Sequence, residues 1–138
     1  MRAVLDTNVL ISGLVFGGKP LPVMELIFSG GCEQVVSEPA LKELERKLST
    51  KFGWRSPAIA LALEAIRDRA VIVSPSEAVT ECIDPKDNMF LEAAVEGRAD
   101  SIVSGDKHLL RMKRFRGIDI WTVDEFLRRM GRENPVRP

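Results

Sequence analysis

Short apolar runs rich in β-branched residues alternate with helical patterns along the chain, and this alternation constrains the fold more than any other feature. The apolar runs predict strands near 2–6, 34–37, 71–74, 101–104 and 119–122. Helical patterns fill the intervals, near 8–14, 20–29, 38–51, 57–69, 86–97, 106–112 and 123–130. Strands separated by helices need crossover connections, which make neighbouring strands parallel and cover both faces of the sheet. The sequence therefore predicts an α/β fold, a three-layer α/β/α sandwich around a central parallel sheet of about five strands.

The length and composition indicate one globular domain. A chain of 138 residues with 45% hydrophobic and 29% charged residues is long enough to bury a core without the support of disulfide bonds. We find no internal repeat or linker and predict a single domain over residues 1–130. The segment 131–138, which includes Pro135 and Pro138, has too little apolar content to pack, so we expect a flexible tail there.

The cysteines and the N-terminal apolar run exclude several protein classes. Cys32 and Cys82 have no nearby Cys or His, which argues against a disulfide framework and a zinc site. The apolar run 9–16 is too short to cross a bilayer, and Asp6 and Asn8 interrupt its similarity to a signal peptide. We expect a cytoplasmic protein without membrane association.

A net charge of zero hides an asymmetry along the chain. Residues 1–106 contain 11 Lys and Arg against 16 Asp and Glu, whereas residues 107–138 contain 9 against 4. The basic part includes Arg111, Lys113, Arg114, Arg116, Arg128, Arg129 and Arg132. Such a patch can attract a polyanion toward an acidic site, although a solvated helix face and tail explains the same charges.

Asp6 follows the first predicted strand directly. A carboxylate at the end of a buried strand is held by rigid backbone where an ion or substrate can reach it. Aspartate also caps helices well, because its oxygen accepts an unpaired first-turn N–H. The two roles are compatible, since Thr7 or Asn8 can cap the helix instead.

A second acidic position opens the helix predicted near 86–97. Asp84 is placed to cap this helix, with Pro85 at the first helical position. Asp87 lies on the same helical face as Phe90 and Leu91, so its carboxylate begins the face that packs on the sheet. A partly desolvated carboxylate is costly unless hydrogen bonds or a cation compensate, which makes Asp87 a candidate functional acid.

Asp106 repeats the layout around Asp6. It follows an apolar strand, 101–104, and stands at the head of a short helix. The carboxyl ends of parallel strands share one edge of the sheet, so Asp6, Asp87 and Asp106 are expected to converge there.

The helix predicted over 38–51 supplies another candidate. Its apolar stripe places Glu43 and Glu45 on opposite flanks, and periodicity does not choose between them. His108, the single histidine, lacks the partners of a nucleophilic relay, and Ser12, Ser37 and Ser104 have no adjacent base.

Converging carboxylates imply a cation. Each carboxylate raises the pKa of the others, so three or four cannot all stay ionised without a compensating positive charge. Oxygen donors without soft ligands suit Mg²⁺ or Mn²⁺. Phosphodiester hydrolysis is the reaction that such a site suits best, because the metal polarises a phosphoryl oxygen and lowers the pKa of a bound water.

Four short motifs, in this order and spacing, resemble the PIN domain family, and within it the toxins of type II toxin–antitoxin systems. They are Leu-Asp-Thr-Asn at 5–8, Ser-Glu-Pro-Ala-Leu-Lys-Glu-Leu at 37–44, Asp-Pro-Lys-Asp-Asn-Met-Phe-Leu-Glu-Ala-Ala at 84–94 and Ile-Val-Ser-Gly-Asp-Lys-His-Leu-Leu at 102–110. The resemblance implies a Mg²⁺- or Mn²⁺-dependent ribonuclease with a parallel sheet and an acidic pocket.

Carried over by motif, the resemblance implies four metal-binding acids: Asp6, Glu43, Asp87 and Asp106. It thereby selects Glu43 over Glu45. Candidates for supporting the pocket are Thr7, Asn8, Asp84, Asn88 and Ser104, the last at a position where the family often has threonine. The resemblance also implies an RNA substrate, a small antitoxin protein as partner and a homodimer.

Other functions remain open on the sequence. An aspartate-nucleophile phosphatase would need an acid two residues after Asp6, where this chain has Asn8. A phospho-accepting receiver domain would need an aspartate at the end of strand three, which here reads Val73-Ser74-Pro75. A non-catalytic PIN-like module that binds RNA or protein, and an RNA-processing nuclease outside toxin–antitoxin systems, are the closer alternatives.

Overall fold

The centre of the molecule is a six-stranded, mostly parallel sheet. The computed structural model describes residues 1–18 and 20–133. Its strands are β1 (Arg2–Leu5), β2 (Glu33–Ser37), β3 (Val71–Val73), β4 (Ser101–Val103), β5 (Arg114–Phe115) and β6 (Ile118–Trp121). Their order across the sheet is β3-β2-β1-β4-β6-β5, and only β5 and β6 pair in antiparallel fashion. The predicted α/β sandwich with a parallel sheet is confirmed.

The sixth strand, β5, is the element that the sequence did not predict. Phe115 pairs with Ile118, so Arg116 and Gly117 alone form the loop, with φ angles of 49° and 80°. Positive φ at both central residues is typical of the type I′ hairpin turn, which favours glycine at its second position. A strand of two residues is too short to show alternation, so the sheet has six strands instead of about five.

All predicted helices form, with each end within three residues of its predicted position. They are α1 (Thr7–Ile11), which continues as a π-helical turn over Ser12–Phe16, α2 (Pro20–Phe28), α3 (Glu38–Thr50), α4 (Ser56–Arg69), a 3₁₀ turn over Pro85–Asp87, α5 (Asn88–Glu96), α6 (Lys107–Met112) and α7 (Val123–Glu133). Helix α7 passes residue 130, where the tail was expected to begin; the remainder of that tail, 134–138, lies outside the described residues.

The helices that the structure describes are shorter than a membrane span requires. No single one of them is long and apolar enough to cross a bilayer. The bent pair Thr7–Phe16 and Pro20–Phe28 reaches the length and composition of a span only when both are taken together.

Strands β1 and β4 form the buried centre of the sheet. Val4, Leu5, Ile102 and Val103 have at most 2% of their surface exposed. Continuous apolar runs of this kind are typical of parallel strands covered on both faces. Helix α5 packs against β1, β2 and β4, which anchors the segment that carries Asp87.

The chain changes direction across the sheet at β1. Strands β2 and β3 lie on one side of β1, and β4, β6 and β5 lie on the other. The connections that leave β1 and β4 therefore diverge, and a crevice opens at the carboxyl ends of these two strands. The backbone N–H of Asp6 donates to the Val103 carbonyl at 3.0 Å, which ties the two strand ends together.

A substitution at Gly97, the C-cap residue of α5, tests how tightly this helix packs on the sheet. A Cβ at this position would overlap the side chain of Val35, which is fully buried in β2. We expect Gly97→Ala to lower the free energy of unfolding by about 1–3 kcal/mol, because the core must shift to admit the methyl group. Urea denaturation measures this change.

Gly131→Ala in α7 is the matched control. Nothing lies within 4 Å of a Cβ at this position, and alanine is favoured over glycine in helices. Its stability should equal or exceed that of the wild type. Equal stability of the two variants would contradict the close contact at Gly97.

Candidate active site

The four predicted acids line one cavity of about 140 Å³ at the crevice between β1 and β4. Each acid comes from a different element: Asp6 follows β1, Glu43 lies on α3, Asp87 precedes α5 and Asp106 follows β4. The other lining residues are Thr7, Asn8, Lys47, Asp84, Lys86, Met89 and Phe90. Long-range topology thus gathers side chains that are up to a hundred residues apart in sequence.

Asp6 caps α1 and also lines the acidic cavity. Its Oδ1 accepts from the backbone N–H of Val9 at 2.8 Å and caps α1, so neither Thr7 nor Asn8 is the cap. Its Oδ2 accepts a short hydrogen bond from the Ser104 hydroxyl. The side chain is buried, and this burial raises the pKa of Asp6 although both hydrogen bonds act to lower it.

Ser104 joins the first acid to the fourth. Its hydroxyl donates to Asp6, and its oxygen accepts from the backbone N–H of Asp106 at 2.9 Å. Ser104 is fully buried and does not line the acidic cavity. Its contacts are those of a residue that positions Asp6 and the turn before α6.

Asp106 caps α6 through one carboxylate oxygen. Its Oδ1 accepts from the backbone N–H groups of His108 at 2.8 Å and Leu109 at 3.4 Å. Burial acts to raise the pKa of Asp106. These N–H groups and a hydrogen bond from the protonated carboxyl group of Asp87 outweigh it and hold the pKa of Asp106 below its usual value. Asp106 is therefore ionised at neutral pH.

Asp87 is the second acid of the cavity whose pKa is raised, after Asp6. The residue is 9% exposed, and its Oδ2 is buried without a hydrogen-bond partner. Burial raises the pKa of Asp87 to about 7, and the neighbouring Asp106, Asp84 and Asp6 add to the shift. The protonated form of Asp87 shares a hydrogen bond with Asp106, and a cation bound in the cavity would replace that proton.

Glu43 and Glu45, which periodicity did not separate, lie in different surroundings. Glu43 lines the cavity with its side chain 25% exposed, whereas Glu45 is exposed and lies outside the cavity. Glu43 Oε1 is 3.0 Å from Arg46 and 3.5 Å from Lys47. Burial acts to raise the pKa of Glu43, but these two cations lower it below its usual value.

Two lysines of the cavity were not expected from the sequence. Lys47 Nζ donates to Asn8 Oδ1 at 3.3 Å, and Lys86 lies in the 3₁₀ turn beside Asp87. Lys47 follows Glu43 by four residues, a spacing that brings opposite charges together on one helical face. This i, i+4 spacing is the feature of the sequence that could have identified Lys47 as a partner of Glu43.

The remaining predicted positions support the loops around the cavity. Asn88 Oδ1 accepts from the backbone N–H of Cys82 at 2.9 Å, and Asn88 does not line the cavity. Asp84 lines the cavity and caps the 3₁₀ turn through the Lys86 N–H at 3.1 Å, as predicted. His108 lies outside the acidic cavity.

The donor set fits a hard divalent cation. Its polar atoms are mainly carboxylate oxygens, and the buried Thr7 Oγ1 and Asp87 Oδ2 have no hydrogen-bond partner. Oxygen ligands of this kind suit Mg²⁺ or Mn²⁺. Over residues 1–18 and 20–133, no three His, Cys, Asp or Glu side chains are already close enough to hold an ion. The four acids line one cavity, and a bound cation would draw their oxygens closer together.

The protein is thus an α/β domain whose acidic cavity lies at the topological switch point of its sheet. A model of the PIN domain family matches residues 2–108, and the chain belongs to this family. The chain is also 32% identical over 118 residues to the uncharacterized protein MJ1680 of Methanocaldococcus jannaschii, which covers 82% of this chain and 76% of that protein.

Two solved structures share the fold. VapBC2 from Rickettsia felis, solved with a bound DNA fragment from its promoter, aligns with a TM-score of 0.60 and 15% identity. The alignment covers 87% of this chain and 97% of that chain. VapBC-1 from nontypeable Haemophilus influenzae aligns with a TM-score of 0.60 and 16% identity over 90% of this chain and 99% of that chain.

The raised pKa of Asp87 predicts a pH-dependent stability of the metal-free protein. The folded state holds the Asp87 proton up to about pH 7, whereas the unfolded chain releases it near pH 4. Stability from this group is therefore present at low pH and is lost as the pH rises through 7. In EDTA, Asp87→Asn should gain stability over the wild type across this window, by more than about 1 kcal/mol.

Asp68→Asn, at an exposed position of α4, is the control. This variant also removes one carboxylate, so a gain that appears in Asp87→Asn alone comes from the acidic cavity. Thermal unfolding between about pH 4 and 8 measures both differences. A constant difference between Asp87→Asn and the wild type over this range would contradict the raised pKa of Asp87.

Proposed function

We propose that this protein is a Mg²⁺- or Mn²⁺-dependent endoribonuclease that hydrolyses phosphodiester bonds in single-stranded or structured RNA. The observation that carries the proposal is the cavity in which Asp6, Glu43, Asp87 and Asp106 meet, because so much negative charge needs a cation. Membership of the PIN domain family supports it, since PIN domains are typically nucleases.

In the proposed mechanism, these four carboxylates hold the cation. When bound, the cation supplies Lewis acidity at a phosphoryl oxygen and a water of lowered pKa. Val9 N–H and the Ser104 hydroxyl orient both oxygens of Asp6 before substrate arrives. The N–H groups that bind Asp106 Oδ1 likewise fix the direction of its carboxylate.

We further propose a cytoplasmic toxin of a toxin–antitoxin pair, with a small antitoxin protein as partner and a homodimeric assembly. Support comes from the two structural neighbours, which are VapBC toxin–antitoxin proteins. The discriminating observation is a short reading frame beside the gene whose product co-purifies with this protein and inhibits cleavage. Cleavage without such a partner would favour an RNA-processing nuclease.

Neighbouring acids on α3 provide a sharp test of the site. We expect Glu43→Gln to lower the rate of RNA cleavage by about 10²-fold or more, because it removes charge from the cavity, and Glu45→Gln to leave the rate unchanged. Asp6→Asn should lose activity to a similar degree while remaining folded, since asparagine also caps helices. Initial rates on a fluorogenic single-stranded RNA with Mn²⁺ measure these effects.

Removing the metal tests whether cleavage depends on a divalent cation. EDTA should stop cleavage by the wild type, and excess Mn²⁺ should restore it in the wild type but not in Asp6→Asn. Equal rates for Glu43→Gln and Glu45→Gln would contradict the role of Glu43. RNA binding without cleavage under any metal condition would favour a non-catalytic PIN-like module.

A further inference from the structure

The acidic cavity contains a positively charged side chain within its wall. Lys47 lies one turn after Glu43 on α3, and its side chain is only 17% exposed. Desolvating an ammonium group costs free energy unless partners compensate. A lysine enclosed by the cavity is therefore part of the site, unlike a lysine on a solvated helix face.

The contacts of Lys47 are long for an ammonium group. Its Nζ is 3.3 Å from Asn8 Oδ1 and 3.5 Å from Glu43 Oε1. Charge-assisted hydrogen bonds are typically about 2.7–2.9 Å. An ammonium has three N–H donors, of which these contacts engage at most two. The geometry allows Lys47 to bind a further acceptor or to exchange Glu43 for one.

Glu43 has a second cation that does not depend on Lys47. Its Oε1 accepts from Arg46 at 3.0 Å, and Arg46 is 57% exposed and lies outside the cavity. Glu43 therefore remains paired when Lys47 turns away. Lys51 is a matched control, because it lies one turn after Lys47 at the end of α3, is exposed and does not line the cavity.

We propose that Lys47 binds the phosphate that is cleaved, a role that rests on the proposed nuclease function. Its ammonium leaves Glu43 and donates to a non-bridging oxygen of the RNA phosphodiester, while Asn8 keeps the side chain directed into the cavity. No bond forms to the lysine and no proton is transferred.

The chemistry of the cavity explains why a lysine is useful there. An RNA phosphate brings a negative charge into a site that already contains carboxylates, and a positive group within the cavity offsets the repulsion. Charge on the phosphoryl oxygens must be stabilised during hydrolysis, and a donor already in place at these oxygens lowers the barrier. A compact point charge such as lysine suits a phosphate oxygen.

RNA binding tests the contact separately from cleavage. In the Asp6→Asn background, fluorescence anisotropy gives the Kd for a labelled single-stranded RNA at several KCl concentrations. Loss of one phosphate contact in Lys47→Met should reduce the slope of log Kd against log salt concentration by about 0.7. Lys47→Arg and Lys51→Met should keep the slope of the background protein.

Cleavage by proteins with Asp6 intact gives the second readout. Lys47→Met should lower kcat by about 10²-fold, Lys47→Arg should restore much of it, and Lys51→Met should match the wild type. Calorimetry should show that Lys47→Met binds Mn²⁺ at least as tightly as the wild type, because a competing positive charge is gone.

Three outcomes would overturn the assignment of Lys47: an unchanged salt slope, an unchanged kcat or a loss of Mn²⁺ affinity in Lys47→Met. The last would mean that Lys47 acts by holding Glu43 for the metal. A wild type that cleaves no RNA with Mn²⁺ would instead refute the nuclease function. The salt slope would then still decide whether Lys47 contacts an RNA phosphate.

Discussion

The hydrogen bonds that hold both oxygens of Asp6 determine the arrangement of the whole site. One oxygen begins α1 by accepting from Val9, and the other accepts from Ser104, whose own oxygen binds the N–H of Asp106. A single buried carboxylate therefore joins β1, α1 and the turn after β4. Because these elements flank the topological switch point, the crevice and its acidic lining are set by the same contacts.

Helix caps and site acids coincide in this structure. Asp6, Asp84 and Asp106 each cap a helical segment at the carboxyl edge of the sheet and also line the cavity. Backbone N–H groups at helix starts stabilise these charges. Asp87 accepts no side-chain cap hydrogen bond, and burial raises the pKa of both Asp87 and Asp6. Collecting these carboxylates in a buried cavity therefore costs free energy of folding at both residues.

Much of this was accessible from the sequence, and the exceptions have physical reasons. Apolar runs separated by helical patterns predicted the parallel sheet, and the shared edge of parallel strands predicted that Asp6, Asp87 and Asp106 would meet. The hairpin strand β5 is too short to show a pattern. Helical periodicity could not separate Glu43 from Glu45, because only the packing of α3 decides which flank faces the cavity. The enclosure of Lys47 could not be predicted, because it depends on Asn8 of α1, which lies far away in sequence.

The central claim is that the acids at this crevice hold a divalent cation. Anomalous diffraction at the manganese edge, from crystals grown with Mn²⁺, tests it most directly. The account predicts an anomalous peak within coordination distance of Asp6, Asp87 and Asp106, which draw together around it. A fully occupied Mn²⁺ elsewhere on the protein, with no peak in this cavity, would contradict the account.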